Sequence, residues 1–203
     1  GRRWVLLLAF AGLGGVVPAK PAGAQEGDGG DRLRDRGTGI PTSMFGTYIR
    51  QGEWLVYPFF EHYRDDNLEY KPQELGYGLD QDFRGKFRAS EGILFLGHGI
   101  TNRLAVEFEA AVITARQGKA PDDPSATPAV IEESGSGDVE GQIRFRVMEE
   151  TERRPELFGF FAAVSPQQRD KVLIATPDWE YKAGFGLIRG YRWGTLSGRV
   201  AGE

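Results

Sequence analysis

From Glu53 onward the chain is patterned at a period of two. Leu104, Val106, Phe108, Ala110 and Val112 alternate with Ala105, Glu107, Glu109, Ala111 and Ile113. Successive side chains of a strand point to opposite faces, so one face of this segment is apolar and the other carries two carboxylates. Residues 138–148 repeat the pattern, with Val139, Gly141, Ile143, Phe145 and Val147 against Glu140, Gln142, Arg144 and Arg146. Residues 83–88 do so in miniature, with Phe83, Gly85 and Phe87 against Arg84, Lys86 and Arg88. Other segments are strand-like but apolar on both faces: 53–64, which contains Pro58, and 157–165. Residues 181–188 alternate more weakly, and a further strand starts near Thr195. No stretch shows a convincing helical period.

The connections between these segments alternate in length. Long ones at 65–82, 117–137 and 166–180 alternate with short ones at 98–103, 149–156 and 189–194. Long outer loops and short periplasmic turns are the expected asymmetry of an outer-membrane barrel. A soluble sandwich or lipocalin-like barrel has the same strand period with the opposite sidedness, so alternation alone does not separate the two. Together, period and loop asymmetry predict an all-β chain, an antiparallel up-and-down transmembrane β-barrel with about seven strands present. The first strand then runs outward from the periplasm.

The N-terminus predicts export. Arg2 and Arg3 precede an apolar run from Trp4 to Val17, Pro18 breaks it, and Ala22, Gly23 and Ala24 supply small residues for cleavage after Ala24. A run of 14 residues at about 1.5 Å each is too short to cross a hydrocarbon core of about 30 Å as a helix. Residues 1–24 therefore read as a signal peptide. Residues 25–45, rich in Gly, Asp and Arg, read as a disordered periplasmic lead-in, and 46–203 as part of a barrel domain. The chain lacks an initiator Met and stops in what reads as another strand, so it is expected to be a piece of a larger barrel.

Composition narrows the function classes. There is no cysteine, which excludes disulfides and thiolate metal sites. Removing residues 1–24 removes three bases and no acids, leaving 22 basic against 29 acidic residues, a net charge of −7. A mildly acidic chain argues against nucleic acid as a partner. Glycine, at 29 of 203 residues, is about twice its usual share of roughly 7%. With plentiful aromatics, it suits the turns and interfacial girdles of barrels.

The sequence offers little enzymatic chemistry. Gly135, Gly137 and Gly141 miss the spacing of a dinucleotide loop and no helix follows. His62 and His98 have no second ligand at metal spacing. Ser165 and His98 fall at opposite strand ends, against a hydrolytic dyad. Asp80, Asp82, Asp122, Asp123, Glu132 and Glu133 cluster in the long loops; a solvated acidic loop is favoured over a Ca²⁺ site there. No catalytic residue, cofactor or metal ligand is assigned. The candidate functional set is the polar strand face, taken as lumen-facing: Arg84, Lys86, Arg88, Glu107, Glu109, Glu140, Gln142, Arg144 and Arg146. Adjacent strands would set basic against acidic rungs, either as a charged filter or as an ion-pair ladder filling a narrow barrel.

Several short motifs resemble a family. Residues 91–104 (EGILFLGHGITNRL), residues 134–138 leading into 142–146, residues 182–186, and the turn at 192–196 are similar to the glycine-based units of outer-membrane barrels associated with the MetA pathway of phenol degradation. The resemblance covers roughly residues 50–200. It implies a transporter or porin-like barrel in the bacterial outer membrane. The expected function is a channel or uptake protein for small, aromatic or hydrophobic molecules. Its expected partners are outer-membrane lipid, small solutes and, during biogenesis, the barrel-assembly machinery. The alternatives are a structural or adhesive barrel that works through its outer loops and, less favoured, a membrane-embedded hydrolase.

Overall fold

The computed structural model describes residues 39–44, 47–191 and 194–202. The predicted signal peptide, the lead-in up to residue 38 and residues 192 and 193 of the predicted turn motif lie outside them. The chain is all-β. Two very short strands, β1 (Ile40–Pro41) and β2 (Tyr48–Ile49), form a hairpin. Seven longer ones follow: β3 (Trp54–Tyr70), β4 (Phe83–Thr101), β5 (Leu104–Gly118), β6 (Val130–Met148), β7 (Glu156–Ser165), β8 (Glu180–Tyr191) and β9 (Gly194–Gly202). They pair in sequence order, every pair antiparallel, into one seven-stranded sheet curled as a half-barrel. The only helical turn among the described residues is the 3₁₀ turn Pro72–Leu75, and none of these residues forms a helix long and apolar enough to cross a membrane.

The long-short alternation of connections is present. Turns at 102–103 and 149–155 lie at one end of the sheet, with loops 71–82, 119–129 and 166–179 at the other. The strands run further than the period alone indicates. The segments 83–88 and 91–97 are one 19-residue strand, and β3, β5 and β6 have 17, 15 and 19 residues. Pro58 lies on β3, which among the described residues pairs only with β4, opposite Leu94.

The two faces differ sharply. One presents exposed apolar side chains on all seven strands, among them Phe60, Leu94, Phe108, Ile143, Phe161, Phe185 and Val200. The other is covered. Phe95, Ala105, Glu107, Gln142, Arg144, Phe158 and Phe160 are buried there. Two segments cover it. At the short-turn end, β1 lies against β6 and β2 against β4, and Ile40, Ile49 and Ala105 pack with Leu55. At the long-loop end, loop 166–179 folds inward, packing Ile174 and Leu173 on Ala89, Ala115, Phe87 and Ile113.

The hairpin corrects one expectation. Residues 25–45 read as a disordered lead-in, yet from Gly39 the chain is folded, and Ile40 and Ile49 are fully buried. Sheet and hairpin meet closely. Gly52 N–H donates to the Gly99 carbonyl at 2.7 Å and Gly99 N–H to that of Glu53 at 3.1 Å. A β-carbon on Gly99 would overlap the Arg50 backbone. The need for glycine here is a close approach of two backbones rather than an unusual dihedral angle.

Candidate functional site

The covered face holds a polar network between the hairpin and β5–β7. Glu107 on β5 faces inward by strand parity, opposite Gln142 on β6. Its carboxylate accepts the Ser43 backbone N–H at 3.0 and 3.1 Å, so the hairpin is anchored on the sheet by a charge-assisted bond. Gln142 Nε2 donates to Glu107 Oε2 at 3.4 Å, and Arg144 Nη1 donates to Gln142 Oε1 at 3.1 Å. Arg144 Nε lies 3.6 Å from Glu107 Oε1, both side chains being 2% exposed. The guanidinium stacks 4.7 Å from the ring centre of Phe158 and 5.7 Å from that of Phe160. Arg144 Nε is buried without a hydrogen-bond partner. One turn further down, Arg146 pairs with Glu156 at 3.1 Å and with Glu149 at 3.5 Å.

A cavity of about 340 Å³ opens beside this network, bounded by the hairpin and the inner side of β8 and β9. Arg144, Phe158, Tyr48, Arg199, Thr42 and Ser43 are among its walls. It combines guanidinium, hydroxyl and aromatic surface, the mixed lining expected of a small-molecule site. Further along the face the chemistry turns acidic. Glu109 sits directly opposite Glu140, and Glu61 opposite Glu91. None of the four is in an ion pair among the described residues. Among those residues, no group of three or more His, Cys, Asp or Glu converges as a metal site would.

The expected polar set therefore divides. Glu107, Glu109, Glu140, Gln142, Arg144 and Arg146 share the inner face. Arg84, Lys86 and Arg88 do not. They are exposed and have the parity of Leu94 and Leu96, which belong to the outer face. The register of β4 against β5 runs without a break from Lys86 to Gly99, so no bulge reverses them. Nor do they meet the acidic rungs: Arg88 lies opposite Arg116, whereas Glu107 lies opposite Gly97. The inner face of this half of β4 is instead Phe83, Gly85, Phe87 and Ala89. The signal that would have placed the basic residues is parity counted back from Leu94 through Ser90.

The loops are built structures. Tyr70 Oη donates to Asp123 Oδ2 at 2.7 Å and accepts the Ala120 N–H at 2.9 Å, clamping loop 119–129 to the end of β3. Burial raises the proton affinity of the Asp123 carboxyl, but the hydrogen bonds from Ser125 and Tyr70 outweigh it and hold the group below its ordinary range. In loop 166–179, Glu133 accepts the Val172 and Leu173 N–H groups, and Asp138 accepts that of Thr176 at 2.7 Å. Glu133 and Asp138 thus serve as loop anchors. His98 stacks on Trp54, and His62 shares a hydrogen bond with Ser90 at 2.9 Å.

No protein-family model matches the chain, and no curated protein matches it.

Proposed function

We propose that this chain forms part of the wall of an outer-membrane β-barrel that admits small molecules, in the manner of a porin-like uptake protein. The observation that carries the reading is the sidedness of the sheet. A soluble barrel buries its apolar positions and exposes its polar ones. Here the exposed face is the apolar one, and the covered face holds a buried Arg–Glu–Gln network. From Leu104 to Val112 the outer apolar stripe spans eight steps, about 27 Å along the strand and about 20 Å along the axis at a tilt of about 40°. β6 repeats it from Val139 to Val147. This approximates the band of about 25 Å expected of such barrels. The motif resemblance to barrels of the phenol-degradation pathway agrees with small aromatic or apolar solutes. The cavity beside Arg144 and Phe158 is where a small planar solute would be held.

Two measurements test this. Full-length protein reconstituted in planar bilayers should pass ions or small aromatic solutes; neither conductance nor flux would end the uptake reading. A closed barrel should also migrate differently on a gel before and after boiling, and an unchanged mobility would count against closure.

A second reading is a structural or adhesive barrel working through its loops. The cover of the inner face at both ends, by hairpin 39–53 and loop 166–179, favours it. So do the Tyr70–Asp123 clamp and the Glu133 and Asp138 anchors, which give the loops defined shapes.

A further inference from the structure

The outer face of β3, β4 and β5 changes character along the strands. The apolar stripe ends at Phe60, Leu94 and Val112. Beyond it comes a rung of hydroxyl and imidazole groups, with His62 opposite Ser90, Ser90 opposite Thr114 and Thr114 opposite Ser134. The next rung of that face is three arginines side by side, Arg64 opposite Arg88 and Arg88 opposite Arg116. Lys86 follows on the same face.

Three like charges on adjacent strands, with β-carbons about 4.5–5.5 Å apart, repel one another. Nearby carboxylates offset only part of this. Arg64 pairs with Asp66 at 2.7 Å and Arg116 with Glu132 at 2.9 Å, all four side chains at least half exposed. Above them Arg84 pairs with Glu69 at 2.8 Å. Arg88 and Lys86 have no ion pair among the described residues, so the local balance is four cations against Asp66 and Glu132. Exposed pairs of this kind are weak and give way to a stronger anion. Arginine's planar fork matches phosphate in two-point contacts.

We propose that this surface binds the phosphates of lipid A, the phosphorylated glycolipid of the outer leaflet. The inference rests on the membrane reading above. The choice of ligand follows from continuity. The arginine rung lies four residues beyond the rung of Phe60 and Val112 that closes the apolar stripe on β3 and β5, and six beyond Leu94 on β4; the four-residue step is about 13 Å along the strand and about 10 Å along the axis. That is the depth of a lipid headgroup layer, within reach of side chains that extend back toward it. A ligand filling the whole surface needs acyl chains for the stripe and phosphates for the arginines. Free phosphate would engage only the upper half.

The test uses full-length protein refolded into phosphatidylcholine vesicles that contain either bis-phosphorylated or dephosphorylated lipid A. Heat-modifiable mobility reports folding in each. The wild type should retain the phosphorylated lipid through detergent extraction about tenfold better than the dephosphorylated one, the scale of one or two charge-assisted bonds. The triple variant Arg64→Gln, Arg88→Gln, Arg116→Gln should lose that preference, and the three Arg→Lys changes together should keep part of it. If the triple Gln variant fails to insert, the exposed single change Arg88→Gln carries the test. Equal retention of both lipids, an unaffected Gln variant, or full competition by equimolar inorganic phosphate would overturn the proposal. Insertion into plain phosphatidylcholine vesicles reads the membrane assignment by itself. Failure to insert overturns both, whereas insertion without phosphate preference overturns the lipid A site alone.

Discussion

Arg144 and Glu107 concentrate the energetics of the covered face in one pair of residues. Desolvating two charges costs several kcal/mol each, and only close pairing with further hydrogen bonds recovers it. Ser43, Gln142, Phe158 and Phe160 supply that support. Arg144→Met alone leaves a buried carboxylate and should destabilise by about 3–5 kcal/mol, whereas the double change with Glu107→Leu should cost much less. Urea midpoints of the detergent-folded protein measure both, and equal losses would refute the coupling. Asp123 belongs to the same scale. Its folded carboxyl titrates below the ordinary range, so its contribution is present above that range and disappears as pH falls through the folded value. The protection of the Ser125 amide, which donates to Asp123 at 2.8 Å, measured as its exchange rate relative to that of an unstructured amide at the same pH, should therefore be high at neutral pH and fall in acid. In Asp123→Asn the protection should be low at both. At this scale the sequence was informative about Glu107, Gln142 and Arg144, because each sits between apolar neighbours in an unbroken alternation. Its pattern places Asp123 in a solvated acidic loop, whereas the side chain is buried, because its role depends on a tyrosine 53 positions away in the chain.

The strands show why alternation was a partial guide. A period of two says which residues share a face but not which face is inward. On β5 and β6 the carboxylates and the amide lie on the covered face of the sheet. For residues 83–88, taken apart from residues 91–97, the same rule puts the arginines inside. The two segments are one strand, and beyond the apolar stripe polar residues occupy the outer face. There, loop 166–179 supplies the inner cover that apolar Phe87 and Ala89 require. The hairpin was illegible for a related reason. Its strands are two residues each, too short for any period, and they gain stability by burying Ile40 and Ile49 on the sheet. Gly99 is where the two elements depend on each other. Gly99→Val would drive its side chain into the Arg50 backbone and should lift the hairpin. Limited proteolysis should then cut within 39–53 several-fold faster than in the wild type, with strand content unchanged by circular dichroism. A cleavage rate equal to the wild type would mean that the sheet yields instead.

For the whole molecule, the question is what a covered inner face does to passage. Hairpin and loop approach from opposite ends. Among the described residues the hairpin is attached through the Ser43–Glu107 bond, the Gly99 contacts and the packing of Ile40, Ile49 and Tyr48. Its two short strands lie outside the seven-stranded sheet, so it can open as a local unit without unfolding the wall. The wall itself is long-range antiparallel ladder throughout and should persist. Deleting residues 40–49 from the full-length protein therefore separates the two functional readings. If the hairpin obstructs a pore, bilayer conductance should rise several-fold while heat-modifiable mobility is retained. Glu107→Gln, which weakens its charge-assisted anchor, should raise the open fraction to a smaller extent. If conductance stays absent after deletion in a correctly folded barrel, the lumen is filled by the wall's own side chains, and function passes to the loops that Tyr70, Glu133 and Asp138 hold in shape.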